Sequence, residues 1–236
     1  MRPSVSDAFL AFSTKFEGSC PWLYLDVKCL VTTAIGCLVD SVAAVQGLDW
    51  VHLRSGVPAT YDQITQAWTT VKGNSGMAKL GGGPFAQLTD QRLTPEAAHS
   101  LVVGRAAAFE TFLRKRFPDY DTWPADAQLG LLSCAWAAGP AWTAPHFDAA
   151  ALALDWMTCA GPEGDASADP SCRGEAWLND TGNPGLRPRN MANKILFENA
   201  SRTTDPAILV WPGALTSSPF PDYMATLDTT MLAPLV

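Results

Sequence analysis

The sequence predicts a mainly helical α+β fold, with a small antiparallel sheet lobe, a larger helical lobe and a cleft between them. Three observations carry this expectation. Residues 21–40 are rich in aromatic and β-branched side chains with short polar interruptions, most of the remaining segments carry helical spacing, and the order is helix, small sheet, then many helices.

The elements follow in order. Ser4 or Ser6 can cap a first helix that runs to Glu17, with Phe9, Phe12 and Phe16 on its apolar face and Gly18 as its stop. Residues 21–40 read as a hairpin or a three-stranded sheet. Residues 41–66 hold one or two short helices, broken at Gly56-Val57-Pro58, and the glycine-rich stretch 73–84 reads as a flexible loop, since it lacks the ending of a phosphate-binding loop. Thr94-Pro95-Glu96 opens a long alanine-rich helix ending near Arg116. Asp126 to Ala138 has little room for a solvent face and reads as a buried helix. A helix over 147–158, a loop over 160–174, a short segment around Trp177 and an amphipathic helix over 188–200 complete the core, and the proline-rich tail 205–236 is expected as coil.

The whole chain, 1–236, is expected to form a single domain in which 41–92 and 201–236 are elaborations. The net charge of -7 and only 16 Lys plus Arg argue against a nucleic-acid partner, although 105–116 is a local basic patch. No apolar stretch has the length of a membrane span, and the first residues lack the apolar core of a secretory signal. No cofactor or metal is expected: there is no CxxC pair, and His52, His99 and His146 are scattered. The six cysteines permit bridges, with Cys159–Cys172 flanking a Gly/Pro/Asp/Ser loop as one pair and Cys29–Cys37 as another. The alternative is cysteines used as small buried hydrophobes, which suits Cys134. Most of the nine tryptophans are read as packing groups, with some left to line a binding surface.

The chemistry concentrates near the N-terminus. Glu17 ends the first helix, where the helix dipole disfavours its charge, and Phe16 and Trp22 are placed to desolvate it. Asp26 follows in Tyr24-Leu25-Asp26, and Thr32 follows that. Alone, Glu17 is a surface carboxylate, Asp26 a turn residue and Thr32 a strand former. Together they offer the two carboxylates that a glycosidase sets on either side of a scissile bond.

The segment from Lys15-Phe16-Glu17-Gly18 through Pro21-Trp22-Leu23-Tyr24-Leu25-Asp26 to Thr32 and Gly36 resembles the catalytic stretch of phage-type lysozymes, glycoside hydrolase family 24. The resemblance is strongest over 15–37 and extends more weakly to about residue 200, through 93–103, 126–139 and 183–197 with Arg187 and Arg189. It implies a lysozyme-like fold and a muramidase that cleaves the β-1,4 link between N-acetylmuramic acid and N-acetylglucosamine. It also implies Glu17 as general acid, with Asp26 and Thr32 positioning the attacking water. The chain departs from the family pattern where Cys29 and Ala34 replace glycines and Cys37 replaces a histidine. The implied partner is bacterial peptidoglycan, with an immunity protein or a secretion-system component as further partners. The implied place of action is the periplasm or cell wall, reached through a holin pore or a secretion apparatus. A chitinase, a lytic transglycosylase and an inactive peptidoglycan-binding module are the alternatives.

Overall fold

The computed structural model describes residues 1–142, 144–161 and 186–212. The mixed α+β class holds: helices dominate, beside a small antiparallel sheet. The chain divides into two compact units, residues 17–105 in one and residues 1–16 with the described residues from 106 onward in the other.

The first unit is built on a three-stranded antiparallel sheet of β1 (Cys20–Leu25), β2 (Val31–Ala34) and β3 (Cys37–Leu38). Its register sets Tyr24 opposite Thr32 and Thr33 opposite Cys37. Leu23 and Leu25 alternate with Tyr24 and are buried, as the two-residue period of a half-buried strand requires. Helix α2 (Val42–Gln46) follows, capped by the Ser41 hydroxyl, which accepts from the Ala44 amide.

Two features of this unit differ from the sequence reading. Between the helices of the 41–66 region lies a strand, β4 (Trp50–His52), which pairs antiparallel with β5 (Gln91–Leu93). Strands of three residues have too little periodicity to be read from sequence, and the partner is far away in the chain. The glycine-rich stretch is also not a free loop. It folds into two 3₁₀ turns, Ser75–Leu80 and Gly83–Gln87. The Trp22 indole donates to the Gly82 carbonyl at 2.8 Å, and a Cβ on Gly82 would meet Cys20 Sγ at 2.7 Å. Glycine is therefore needed here for close approach to β1, and not for flexibility.

Helix α3 (Tyr61–Gly73) starts with a reciprocal Thr60–Gln63 capping box. It braces the sheet through Lys72, whose ammonium donates to the Cys29 carbonyl at 3.0 Å and pairs with Asp40 at 2.6 Å. Asp40 in turn accepts from the Val31 amide at 3.0 Å. One side chain thus ties the turn before β2 and the segment after β3 to the helix.

In the second unit, α1 (Pro3–Glu17, with Glu17 itself counted in the first unit) buries Val5, Phe9 and Phe12. Pro3 opens it, so Ser4 and Ser6 lie inside the helix instead of capping it, and the Ser4 hydroxyl donates to the Ala207 carbonyl. Helix α4 (Pro95–Arg116) contributes to both units and starts as expected, with the Thr94 hydroxyl accepting from Ala97. Three basic residues in its last turn suit the negative end of the helix dipole.

Helix α5 (Ala125–Ala138) is buried from Ala125 through Ala135. It packs on α8 (Arg187–Arg202) so closely that a Cβ on Gly130 would meet the Phe197 ring at 2.9 Å. The helix expected over 147–158 is two helices, α6 (Pro145–Leu152) and α7 (Trp156–Ala160). Leu154 takes a left-handed φ of 59° between them, and Asp155 caps the second through the Thr158 amide.

At the start of α5, the fully buried Asp126 accepts from Asn199 at 2.9 Å and from the backbone amides of Val210 and Trp211 at 2.8 and 3.2 Å. Burial raises its pKa, and these donors oppose the rise. The Ala125 amide also donates to the Pro206 carbonyl, and Trp211 packs edge-on against Phe12. The Trp177 segment, most of the 160–174 loop, and residues beyond 212 lie outside the described residues.

Candidate active site

Glu17, Asp26 and Thr32 all belong to the unit that carries the sheet. Glu17 is the last residue of α1, and Gly18, with a φ of 69°, ends the helix there and leads into β1. Asp26 immediately follows β1 and builds the turn to β2. Its backbone exchanges bonds with Leu30 and Cys29, and its Oδ1 accepts from the Lys28 and Leu30 amides at 2.8 and 2.9 Å. Oδ2 accepts no hydrogen bond among the described residues. The same carboxylate therefore fixes a turn with one oxygen and presents the other. Thr32 lies within β2, is buried, and donates its hydroxyl to the Leu30 carbonyl at 3.1 Å, which leaves the oxygen's acceptor capacity.

Tyr24 links these groups. It pairs across the sheet with Thr32 and is two residues from Asp26, so the three follow one side of the β1–β2 hairpin. Burial raises the Tyr24 pKa most, and the neighbouring ionisable groups Cys20, Glu17, Cys37 and Asp26 raise it further. Both candidate carboxylates therefore act on one phenol, which keeps its proton at neutral pH and can only be a neutral donor or acceptor.

Cys37, on β3, is buried, and its thiol pKa is pushed up to about 11 by that burial. Arg105 of α4 opposes the shift by its charge and a side-chain hydrogen bond, and Glu17 adds to it. Tyr24 is visible in the sequence beside Asp26. Arg105 is not, because α4 brings it to β3 from a distant part of the chain and no local spacing signals that contact.

Four expectations need correction or completion. Glu17 is exposed, so the expected apolar cover is not formed. Trp22 is engaged with Gly82 and lies under Arg92, while the Phe16 ring packs on Phe12 at 5.0 Å. Arg189 is only 1% exposed, donates to the Ser133 carbonyl and lies over the Phe16 ring. It is a buried packing group. The side chain of Arg187 lies outside the described residues. Cys29 and Cys37 carry free thiols, and Cys172, the expected partner of Cys159, is also outside the described residues.

The departures from the glycine pattern have a backbone counterpart. Cys29 and Ala34 adopt φ values of 60° and 53°, the left-handed region that favours glycine, and Gly36 adopts 86°. Both turns thus follow a path that favours glycine although Cys29 and Ala34 occupy it. Lys72 holding the Cys29 carbonyl is one contact that fixes the first of these turns.

Of the histidines, His52 bridges Asp90 and Gln63 at 3.0 and 3.1 Å, and the Asp90 hydrogen bond, then that of Gln63, raises its pKa. This is a structural bridge between β4, the segment before β5 and α3. Among the described residues no three His, Cys, Asp or Glu side chains gather as a metal site, and no helix is long and apolar enough to cross a membrane. Trp50, Trp123, Trp142, Trp156 and Trp211 are buried as packing groups.

Comparison with protein-family models, with curated proteins and with solved structures finds no match to this chain.

Proposed function

We propose that the protein is a peptidoglycan hydrolase, a muramidase cutting the β-1,4 link between N-acetylmuramic acid and N-acetylglucosamine. The observation that carries this reading is the pair of carboxylates, Glu17 at the end of α1 and Asp26 at the β1–β2 turn, where Asp26 keeps one oxygen clear of hydrogen bonds among the described residues. The left-handed backbone at Cys29 and Ala34, where the resembled family has glycines, supports it further.

In this mechanism Glu17 donates its proton to the glycosidic oxygen as the bond to the anomeric carbon breaks. The free oxygen of Asp26 orients a water and takes its proton as the water attacks from the opposite face. Thr32 helps place that water through its hydroxyl. The configuration inverts, and both carboxyls return to their starting states by proton exchange with solvent. The enzyme would serve a phage in host lysis or a bacterium against a rival, acting in the periplasm or on the wall.

The test is a turbidity assay on purified peptidoglycan with circular dichroism as the folding control. Glu17→Gln should lose at least about 100-fold in rate, because it removes general acid catalysis. Asp26→Asn should lose less. Its amide oxygen can still accept from Lys28 and Leu30, so the turn is kept while the charge is removed. Thr32→Ala should lose least. Glu17→Gln keeping more than roughly a tenth of the wild-type rate sinks the assignment. Mass spectrometry of the released muropeptides separates hydrolysis from transglycosylation, which leaves anhydro ends.

A second reading, a wall-binding module without turnover, draws on the exposure of Glu17, which leaves it the surface carboxylate that it would be on its own. Binding to peptidoglycan without clearing, unaltered by Glu17→Gln, favours it.

A further inference from the structure

The unit that carries the sheet also has a cavity of about 480 Å³ that shares no residue with the Glu17, Asp26 and Thr32 set. It lies among α2, β4 and the start of α3. Its size falls within the range of small-ligand sites. Trp50 and Ile64, each 3% exposed, line it as apolar groups, and the Trp50 indole N–H is already satisfied by the Val45 carbonyl. Tyr61, 68% exposed, lines it as a solvent-facing aromatic ring.

Several polar groups lining the cavity have acceptor capacity to spare. The Asp49 carboxylate accepts no hydrogen bond among the described residues, although the Asp49 backbone carbonyl receives the Thr94 amide. Gln46 donates one amide N–H to Thr65, and its Oε1 accepts no hydrogen bond among the described residues. The Tyr61 hydroxyl is likewise without a partner among the described residues.

We propose that this cavity is an accessory subsite for an N-acetylhexosamine unit of a glycan strand. A pyranose has an apolar face of C–H groups that suits an aromatic ring, and a rim of hydroxyls that donate to carboxylate and amide oxygens. An acetamido group adds one N–H donor and a methyl for the apolar surface. The cavity offers each counterpart: Tyr61 for the ring face, Asp49 and Gln46 for the donors, Trp50 and Ile64 for the methyl. A cationic peptide would find a single carboxylate and otherwise apolar or neutral walls. The subsite rests on the hydrolase reading for its purpose, a second hold on the substrate strand, but its occupancy is measured without turnover.

The experiment titrates full-length Glu17→Gln protein with the tetramer of N-acetylglucosamine and follows the Trp50 indole N–H signal by NMR, assigned with Trp50→Phe. Saturable movement of that signal is expected. Tyr61→Ala should weaken binding by about tenfold and Asp49→Asn by roughly fivefold, while Tyr61→Phe, which keeps the ring, should stay within about threefold. Both positions are exposed, so these variants should fold. Unchanged affinity in Tyr61→Ala and Asp49→Asn overturns the subsite, as does a Trp50 signal that responds to a lysine-containing tetrapeptide and not to the sugar. The hydrolase reading is judged separately, by clearing with the Glu17 series. Sugar binding that depends on Tyr61 and Asp49 in a protein that clears no wall keeps the subsite and rejects the hydrolase. Clearing with no such dependence of binding does the reverse.

Discussion

Lys194 and Glu198 form an ion pair one turn apart on α8, 3.0 Å between charged atoms, with both side chains 1% exposed. The lysine also donates to the Gly161 carbonyl at 3.2 Å. Glu198 is the more dependent partner, because neither of its oxygens accepts a hydrogen bond, and Lys194 is its sole ion-pair partner among the described residues. Replacing Lys194 with Met keeps most of the side-chain volume and strands the carboxylate. Removing one partner of a buried pair costs about 3–5 kcal/mol, a large share of the roughly 5–15 kcal/mol that holds a typical domain folded. The double variant Lys194→Met/Glu198→Leu removes the stranded charge and should recover most of that loss, since buried pairs are often replaceable by apolar residues. Urea denaturation of wild type, both single variants and the double variant closes the cycle, provided the transitions superimpose when followed by fluorescence and by circular dichroism. A Lys194→Met loss under about 1 kcal/mol, or a double variant as unstable as the single, would refute the reasoning.

Cys29→Gly should stabilise by roughly 0.5–1 kcal/mol, because relief of a left-handed φ outweighs the extra chain entropy of glycine; the urea midpoint measures it. Asp40 is held below the usual carboxylate range, first by its hydrogen bond from Lys72 and then by the Val31 amide. Its folded pKa is depressed, so its contribution is present above the unfolded value of about 3.9 and is lost as pH falls through the folded value; Asp40→Asn should flatten that acid limb of the stability profile. Non-reducing peptide mapping of oxidised protein is expected to link Cys159 with Cys172 and to return Cys29 and Cys37 as thiols.

The helices and the first sheet were legible because their signals are local. Thr94-Pro95 announces α4, the largely apolar stretch 126–138 announces a buried helix, and the β-branched and aromatic stretch after Cys20 announces the sheet. Glu17, Asp26 and Thr32 could be named for the same reason, since all three lie in one short stretch. What escaped depends on contacts between distant residues. The β4–β5 pairing joins two three-residue segments across α3, and the 3₁₀ turns at 75–87 are shaped by their fit to β1 and Trp22. The break at Leu154 escaped because an apolar side chain at a left-handed φ gives no sign of it in the sequence. The surroundings of Glu17 were misjudged because adjacency in sequence does not tell which way Phe16 and Trp22 turn.

The clasp of Val210 and Trp211 on Asp126 sets a limit on how short the protein can be made. A chain ending just after residue 212 keeps both amides on the buried carboxylate, the Pro206 carbonyl on α5 and the Trp211 ring against Phe12. A chain ending before Pro206 loses all of them at once and leaves a negative charge at the head of the most buried helix with Asn199 as its remaining side-chain donor. The segment expected as coil thus begins with residues that α5 cannot do without, and any cut that keeps these contacts lies beyond 212.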